Sequence, residues 1–169
     1  TRALIVIPVL GQAPDMAAYQ RFCQEYSLVL LEDCCESLGA HHQGRHVGRF
    51  GRMGTFSLFF SHHLSTVEGG IIATDDAALA DDLRSLRAHG WVRERSDRAE
   101  WARLHPELDD RFLFVMPGYN VRPMEMQGAI GCVQLTKLDA MLDSRERLAA
   151  QVSRWLEARV PWLELVGAG

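Results

Sequence analysis

Side chains that can move protons and bind anions are concentrated in the first half of the chain. Asp33 and Glu36 follow the short apolar run 28–31, which has the length of a buried strand. Ligands of open α/β sheets dock at the carboxyl ends of strands, where a carboxylate can keep a heterocyclic nitrogen protonated. An aspartate at a strand end is more often a turn or capping residue. The sequence alone therefore leaves both interpretations of Asp33 open.

Two adjacent histidines lie in a loop that also contains serines. On extended backbone neighbouring side chains diverge, so only one of His62 and His63 is expected to face a given site. Adjacent histidines are a poor metal-chelating spacing, but one histidine can act as base and acid near neutral pH. Ser57 and Ser61 offer hydroxyl donors for a phosphate. The alternative is one core and one surface histidine in an ordinary loop.

Strands that alternate with helices must position these residues, and this order is typical of α/β layers. Apolar runs predict strands at 3–9, 28–31, 55–60 and 71–74. Helical periodicity predicts helices from Asp15, from Asp75-Asp76, over 123–137 and over 139–159. The charged stretch 93–112 is interpreted as a solvated loop or a mobile lid. The last helix is expected to turn these side chains inward: Leu142, Leu148, Val152 and Trp155.

Three blocks of sequence resemble the cofactor-binding segments of the DegT/DnrJ/EryC1/StrS sugar aminotransferases, which use pyridoxal phosphate (PLP). The blocks are 32–36, 57–70 and 118–134, and they occur in the family's order. The resemblance implies an α/β fold of the PLP-dependent aspartate-aminotransferase type (fold type I), with a mostly parallel sheet flanked by helices. It also implies that residues 1–139 are part of the large PLP-binding domain. Residues 140–169 are then a connecting helix toward a small C-terminal domain that is mostly absent.

The resemblance also implies roles for individual residues in PLP binding. Asp33 contacts the pyridine nitrogen, and Glu36, where the family usually has glutamine, lies near the cofactor ring. Ser57 matches the family's phosphate-binding serine, and Ser61 matches less specifically. Asn120 reaches the cofactor phosphate of the neighbouring subunit, which implies a homodimer with shared active sites.

The catalytic position carries His62 where the family has the lysine that binds PLP covalently. The chain's single lysine, Lys137, is predicted on a helix surface, and a replacement role for it is the less favoured alternative. Two branches of the family have histidine here and remove the 3-hydroxyl group of a nucleotide-linked 4-keto-6-deoxy sugar. One acts on a CDP-sugar and needs an iron–sulfur cluster. The other acts on GDP-4-keto-6-deoxymannose in colitose biosynthesis for the lipopolysaccharide O-antigen.

The absence of cysteine between residues 87 and 131 favours the GDP-sugar branch. That branch implies that L-glutamate converts PLP to pyridoxamine phosphate (PMP), which binds the sugar ketone, and that His62 moves the proton during dehydration. The remaining alternatives are the CDP-sugar type and a non-catalytic member of the family.

Bulk properties exclude several other classes. The chain has 169 residues, a net charge of −4 and no basic footprint for nucleic acid. No apolar run is long enough for a membrane span, and we expect a cytoplasmic protein. The chain begins directly in a strand without Met, so we expect a piece of a longer protein. Such a piece should be inactive alone and should expose apolar surface where the other parts dock.

Overall fold

The computed structural model describes residues 1–163 and divides into two compact units. The first unit contains Thr1–Ala73 and Glu125–Gly169, of which residues 164–169 lie outside the described part. The second unit is Thr74–Met124. Within residues 1–163, no helix combines the length and the apolar character that a bilayer crossing requires.

The first unit is built on a four-stranded sheet and a small hairpin. The strands are β1 Ala3–Val6, β2 Val29–Asp33, β3 His41–His42, β4 Arg45–His46, β5 Met53–Ser57 and β6 Gly70–Ala73. The sheet has the order β1-β2-β5-β6, and β3 and β4 form the hairpin. The pairs β1-β2 and β2-β5 are parallel, and β6 runs antiparallel to β5. The prediction of a mostly parallel sheet is therefore confirmed.

The first helix and the strands beneath it form the core of this unit. Within residues 1–163 the helices are, in chain order, α1 Met16–Glu25, α2 Ala77–Leu86, α3 Arg98–Leu104, α4 Glu125–Leu135 and α5 Leu138–Arg159. Asp15 caps α1 as predicted, because its Oδ1 accepts the Ala18 N–H at 3.0 Å. Met16 and Cys23 on the inner face are buried with Val6 of β1.

Two predicted strands extend too far. The first ends at Val6 instead of residue 9, since Pro8 has no N–H for a ladder and a 3₁₀ turn follows at Val9–Gly11. The strand predicted at 55–60 ends at Ser57, where the Ser57 hydroxyl accepts the Phe59 N–H at 3.2 Å and turns the chain. This early end creates the loop that carries His62.

A buried carboxylate fixes the glycine-rich loop that follows the second strand. Glu32 is 2% exposed, and its Oε1 accepts the N–H groups of Phe50 and Gly51, both at 2.6 Å. Its Oε2 accepts the N–H of Gly48 at 2.5 Å. Three donors satisfy a charge that would otherwise be costly to bury. Glu32 therefore holds loop 48–51 against the sheet edge that carries Asp33.

In the second unit, the stretch 93–112 is not the plain solvated loop that the sequence suggested. It contains α3 and a 3₁₀ turn at Asp110–Phe112. The Arg95 side chain is 6% exposed and pairs with Asp97 at 2.7 Å and Asp82 at 2.8 Å. The stretch has weak apolar periodicity because ion pairs, more than apolar packing, order it. Sequence periodicity cannot detect such an arrangement.

The two C-terminal helices form close to the predicted positions, but the predicted inward face of α5 is wrong. Leu148, Val152 and Trp155 are 61%, 47% and 51% exposed. Leu142 is half-buried and lies against Gly39. Helical periodicity identifies an apolar face but does not say what covers it. The expectation of exposed apolar surface is confirmed, since Phe22 and Tyr26 of the first unit are also 46% and 58% exposed.

Candidate active site

Asp33 lies at the carboxyl end of β2, where it accepts several hydrogen bonds. Its Oδ1 accepts the Cys35 N–H at 3.2 Å and the Thr55 hydroxyl at 3.3 Å. The Cys35 thiol makes the largest contribution to lowering the pKa of Asp33, and the Cys35 N–H, the Thr55 hydroxyl and His62 add to it against the effect of burial. The group is therefore an anionic acceptor at neutral pH.

His62 is oriented by the backbone of the segment that follows Asp33. Its Nδ1 lies 2.5 Å from the Cys35 carbonyl oxygen, which can only accept a hydrogen bond. Nδ1 must therefore carry the proton, and Nε2 of the neutral ring is free to accept one. Cys35 connects the two groups, because its N–H bonds to Asp33 and its carbonyl bonds to His62.

A pocket of about 330 Å³ brings three of the predicted residues together. The pocket is lined by Leu10, Glu36, Ser61, His62, His63 and Arg145. Glu36 is held in place because its Oε2 accepts the Leu10 N–H at 3.2 Å. Glu36, Ser61 and His62 thus share one cavity, whereas Asp33 and Ser57 are not among its lining residues.

The loop between β5 and β6 is a compact, internally bonded turn. Ser57 begins it by accepting the Phe59 N–H, which leaves its own hydroxyl hydrogen to donate. The Thr66 hydroxyl donates to the Glu68 carbonyl at 2.7 Å, and Leu58 N–H donates to the Gly69 carbonyl at 2.9 Å. These bonds give the loop one shape, so His62 is presented by an ordered turn.

Asn120 lies in the second unit, where its backbone pairs with that of Ala88 in an antiparallel bridge. Its role in binding the cofactor phosphate of a neighbouring subunit stays a prediction.

Sequence reasoning missed four contributors to the pocket and its surroundings: Leu10, Cys35, His63 and Arg145. Cys35 acts partly through backbone groups, which leave no signal in residue type. His63 was set aside in favour of His62, yet it also lines the pocket. Arg145 comes from α5, far along the chain, and lies one helical turn after Leu142. The i, i+3 spacing of Leu142 and Arg145 was the available signal, since such residues share a helix face.

Comparison with known proteins shows which enzymes this chain is similar to. GDP-4-keto-6-deoxy-D-mannose 3-dehydratase of Yersinia pseudotuberculosis is 40% identical over 98% of this chain. The structure of the E. coli GDP-4-keto-6-deoxy-D-mannose-3-dehydratase with bound hydrated PLP is 38% identical over 94% of the chain, with a TM-score of 0.81. A GDP-4-keto-6-deoxymannose-3-dehydratase structure with a trapped PLP-glutamate geminal diamine is 41% identical over 82%, with a TM-score of 0.69.

The chain spans about two fifths of each of these proteins: 42% of the Yersinia protein, 41% of the E. coli structure and 36% of the structure with the glutamate adduct. Its fold is that of part of a PLP-dependent aminotransferase-type domain, as the parallel sheet and flanking helices and the TM-scores together indicate. The model of the DegT/DnrJ/EryC1/StrS aminotransferase family matches residues 1–165, and the chain belongs to this family.

Proposed function

We propose that this chain is part of a PLP- and PMP-dependent 3-dehydratase, a carbon–oxygen lyase, that acts on GDP-4-keto-6-deoxymannose with L-glutamate as amino donor. The observation that carries the proposal is His62, which lies in the pocket with Nδ1 fixed and Nε2 available. The relatives named above are 3-dehydratases of this sugar, one with PLP and one with a PLP-glutamate adduct bound. Because the chain covers two fifths of them, the activity belongs to the longer protein that we propose contains it.

The residues present fit PLP bound without a covalent bond. Asp33 is an anion at neutral pH and suits a protonated pyridine nitrogen. The only lysine, Lys137, is exposed just before α5 and is not among the residues that line the pocket. We assign the cofactor phosphate to Ser57 with Asn120 of a second subunit, and the ring surroundings to Glu36 and Ser61. Bound as PMP, the cofactor supplies an amine for the sugar ketone and a ring that accepts electrons.

The residues of this chain supply the proton transfers. His62 Nε2 accepts a carbon-bound proton while Nδ1–H stays on the Cys35 carbonyl, which stabilises the cationic ring that results. The same nitrogen then donates the proton to the leaving 3-hydroxyl group. A lysine here would compete as an amine and return the chemistry to transamination, whereas histidine can only move protons.

The remaining assignments extend this proposal. We assign residues 1–139 to the large domain and 140–169 to a connection toward a small domain. The active protein is a homodimer with shared sites, which agrees with the exposed apolar surface of this chain. It works in the cytoplasm, in the synthesis of colitose for lipopolysaccharide.

The substitution His62→Lys in the longer protein tests the function. General acid–base groups contribute roughly 10²–10⁴-fold, so we expect dehydration to fall by that factor. We also expect PLP to become covalently bound, so that it withstands dialysis and is fixed by borohydride. Mass spectrometry of the deoxygenated keto-sugar and release of ammonia measure the reaction.

Two variants serve as controls for this test. His62→Asn should lose activity without retaining PLP, and His41→Lys at an exposed histidine should behave as wild type. Parallel assays with GDP- and CDP-linked 4-keto-6-deoxy sugars distinguish the two histidine branches. Dehydration by His62→Lys at the wild-type rate contradicts the role given to His62.

A further inference from the structure

A positive side chain without a counter-ion lines the same pocket as His62. Within residues 1–163, Arg145 forms no ion pair or hydrogen bond, although most arginines of the second unit are paired. The carboxylate of Glu36 is the negative group of the pocket, and its Oε2 already accepts the Leu10 N–H. The Arg145 guanidinium is therefore available to a ligand.

The neighbouring His63 has a polar atom that lacks a partner. Its Nδ1 is buried and makes no hydrogen bond in the described structure. Burial lowers the pKa of His63, and the charges of Arg145 and His62 lower it further, so the ring is neutral at pH 7. Because no acceptor meets Nδ1, the single proton of the neutral ring belongs on Nε2, which is the N–H that His63 can offer to the pocket it lines.

The position of Arg145 is fixed by the contact that its helix makes with Gly39. Leu142, one turn earlier on α5, packs against Gly39, where an added Cβ would lie 2.6 Å from Leu142 Cδ2. Gly39 also has φ +93°, which favours glycine. Since i and i+3 residues share a helix face, this contact directs Arg145 to the pocket wall. The chain thus brings a cation to the pocket from a distant helix.

We propose that Arg145 and His63 form an anion-binding subsite beside His62, which holds a carboxylate of the amino donor or the diphosphate of the nucleotide sugar. The guanidinium presents a planar fork of donors that matches carboxylate and phosphate oxygens. A neutral imidazole adds one N–H donor. The inference rests on the proposed function for the identity of the ligands, but the anion chemistry follows from the pocket itself.

The test is Arg145→Gln in the longer protein, with Arg147→Gln as matched control. Arg147 is exposed on the same helix and does not line the pocket. Loss of a charged hydrogen bond should raise one Michaelis constant roughly tenfold to hundredfold. A rise in KM for L-glutamate in cofactor amination identifies the carboxylate as the ligand. A rise in KM for the GDP-sugar identifies the diphosphate.

Further variants separate binding from folding. Arg145→Lys keeps the charge and should recover part of the affinity, and His63→Leu should weaken the same substrate as Arg145→Gln. Equal KM values for wild type, Arg145→Gln and Arg147→Gln overturn the subsite. If the wild type performs neither half-reaction, the proposed function fails, and calorimetry with inorganic pyrophosphate and glutarate then decides the subsite. Binding that Arg145→Gln weakens and Arg147→Gln does not supports it, and absence of binding refutes it.

Discussion

Replacing Glu32 by glutamine should destabilise the protein although the two side chains have the same shape. Glutamine can keep its carbonyl oxygen at the position of Oε1, where it accepts the N–H groups of Phe50 and Gly51. Its amide nitrogen then faces the N–H of Gly48, so two donors oppose each other at a buried position. One unsatisfied N–H costs about 1–3 kcal/mol, and loss of charge weakens the two remaining bonds. We expect the free energy of unfolding to fall by about 2–4 kcal/mol.

Urea denaturation of wild type and Glu32→Gln, followed by circular dichroism, measures this loss. The midpoint should fall without a change in slope, since the surface exposed on unfolding is the same. Glu25→Gln, at an exposed position on α1, is the control and should stay within about 0.5 kcal/mol of wild type. A stability of Glu32→Gln equal to that of the control would refute the reasoning, because the three N–H groups would then not depend on the carboxylate.

Two further predictions concern the second unit. Asp81 is 5% exposed, and hydrogen bonds from Ser96 lower its pKa below 3.8. The ionised carboxylate therefore contributes its full stabilisation above pH 3.8, and this stabilisation is lost as the pH falls through the folded-state pKa. Asp81→Asn should therefore be less stable than wild type at pH 6, by a margin that shrinks below pH 3.8; thermal unfolding at several pH values measures it, and a constant margin contradicts it. Gly90 has φ +85°, and an added Cβ would lie 1.6 Å from the Met116 carbonyl oxygen. Gly90→Ala should therefore lower the free energy of unfolding by at least about 2 kcal/mol, as measured by urea denaturation. The control Gly44→Ala has φ +76° but open space around the added Cβ, so it should lose less stability.

The order and type of most elements could be predicted because they depend on local patterns. Asp15 caps α1, and the apolar run before Asp33 forms a strand of a parallel sheet. Two strand ends were predicted too late because Pro8 and Ser57 end the strands locally, and the other predictions that failed concerned contacts between distant residues. Trp155 was predicted to face inward because it lies on the apolar face of a helix, but it is exposed, since helical spacing does not show whether another part of the chain covers that face. Arg95 belongs to an apparently irregular charged stretch, yet its ion pairs order that stretch.

The candidate site was predictable to the extent that a residue type carries chemistry by itself. His62 and Asp33 were identified in the sequence by their types, their place after apolar runs and the family blocks around them. Glu32 has a chemically active type as well, but its three backbone donors come from a loop whose path the sequence does not specify. It acts as a structural anchor next to Asp33.

The sequence by itself determined the family, the strand-end aspartate and the replacement of a lysine by His62, because these are properties of residue identity and spacing. Only the tertiary structure decided how His62 is used, since the Cys35 carbonyl fixes which ring nitrogen carries the proton. It also brought Arg145 from the last helix into the same pocket. The direction of a hydrogen bond and the contact between distant segments depend on the path of the folded backbone. Residue types limit that path but do not specify it.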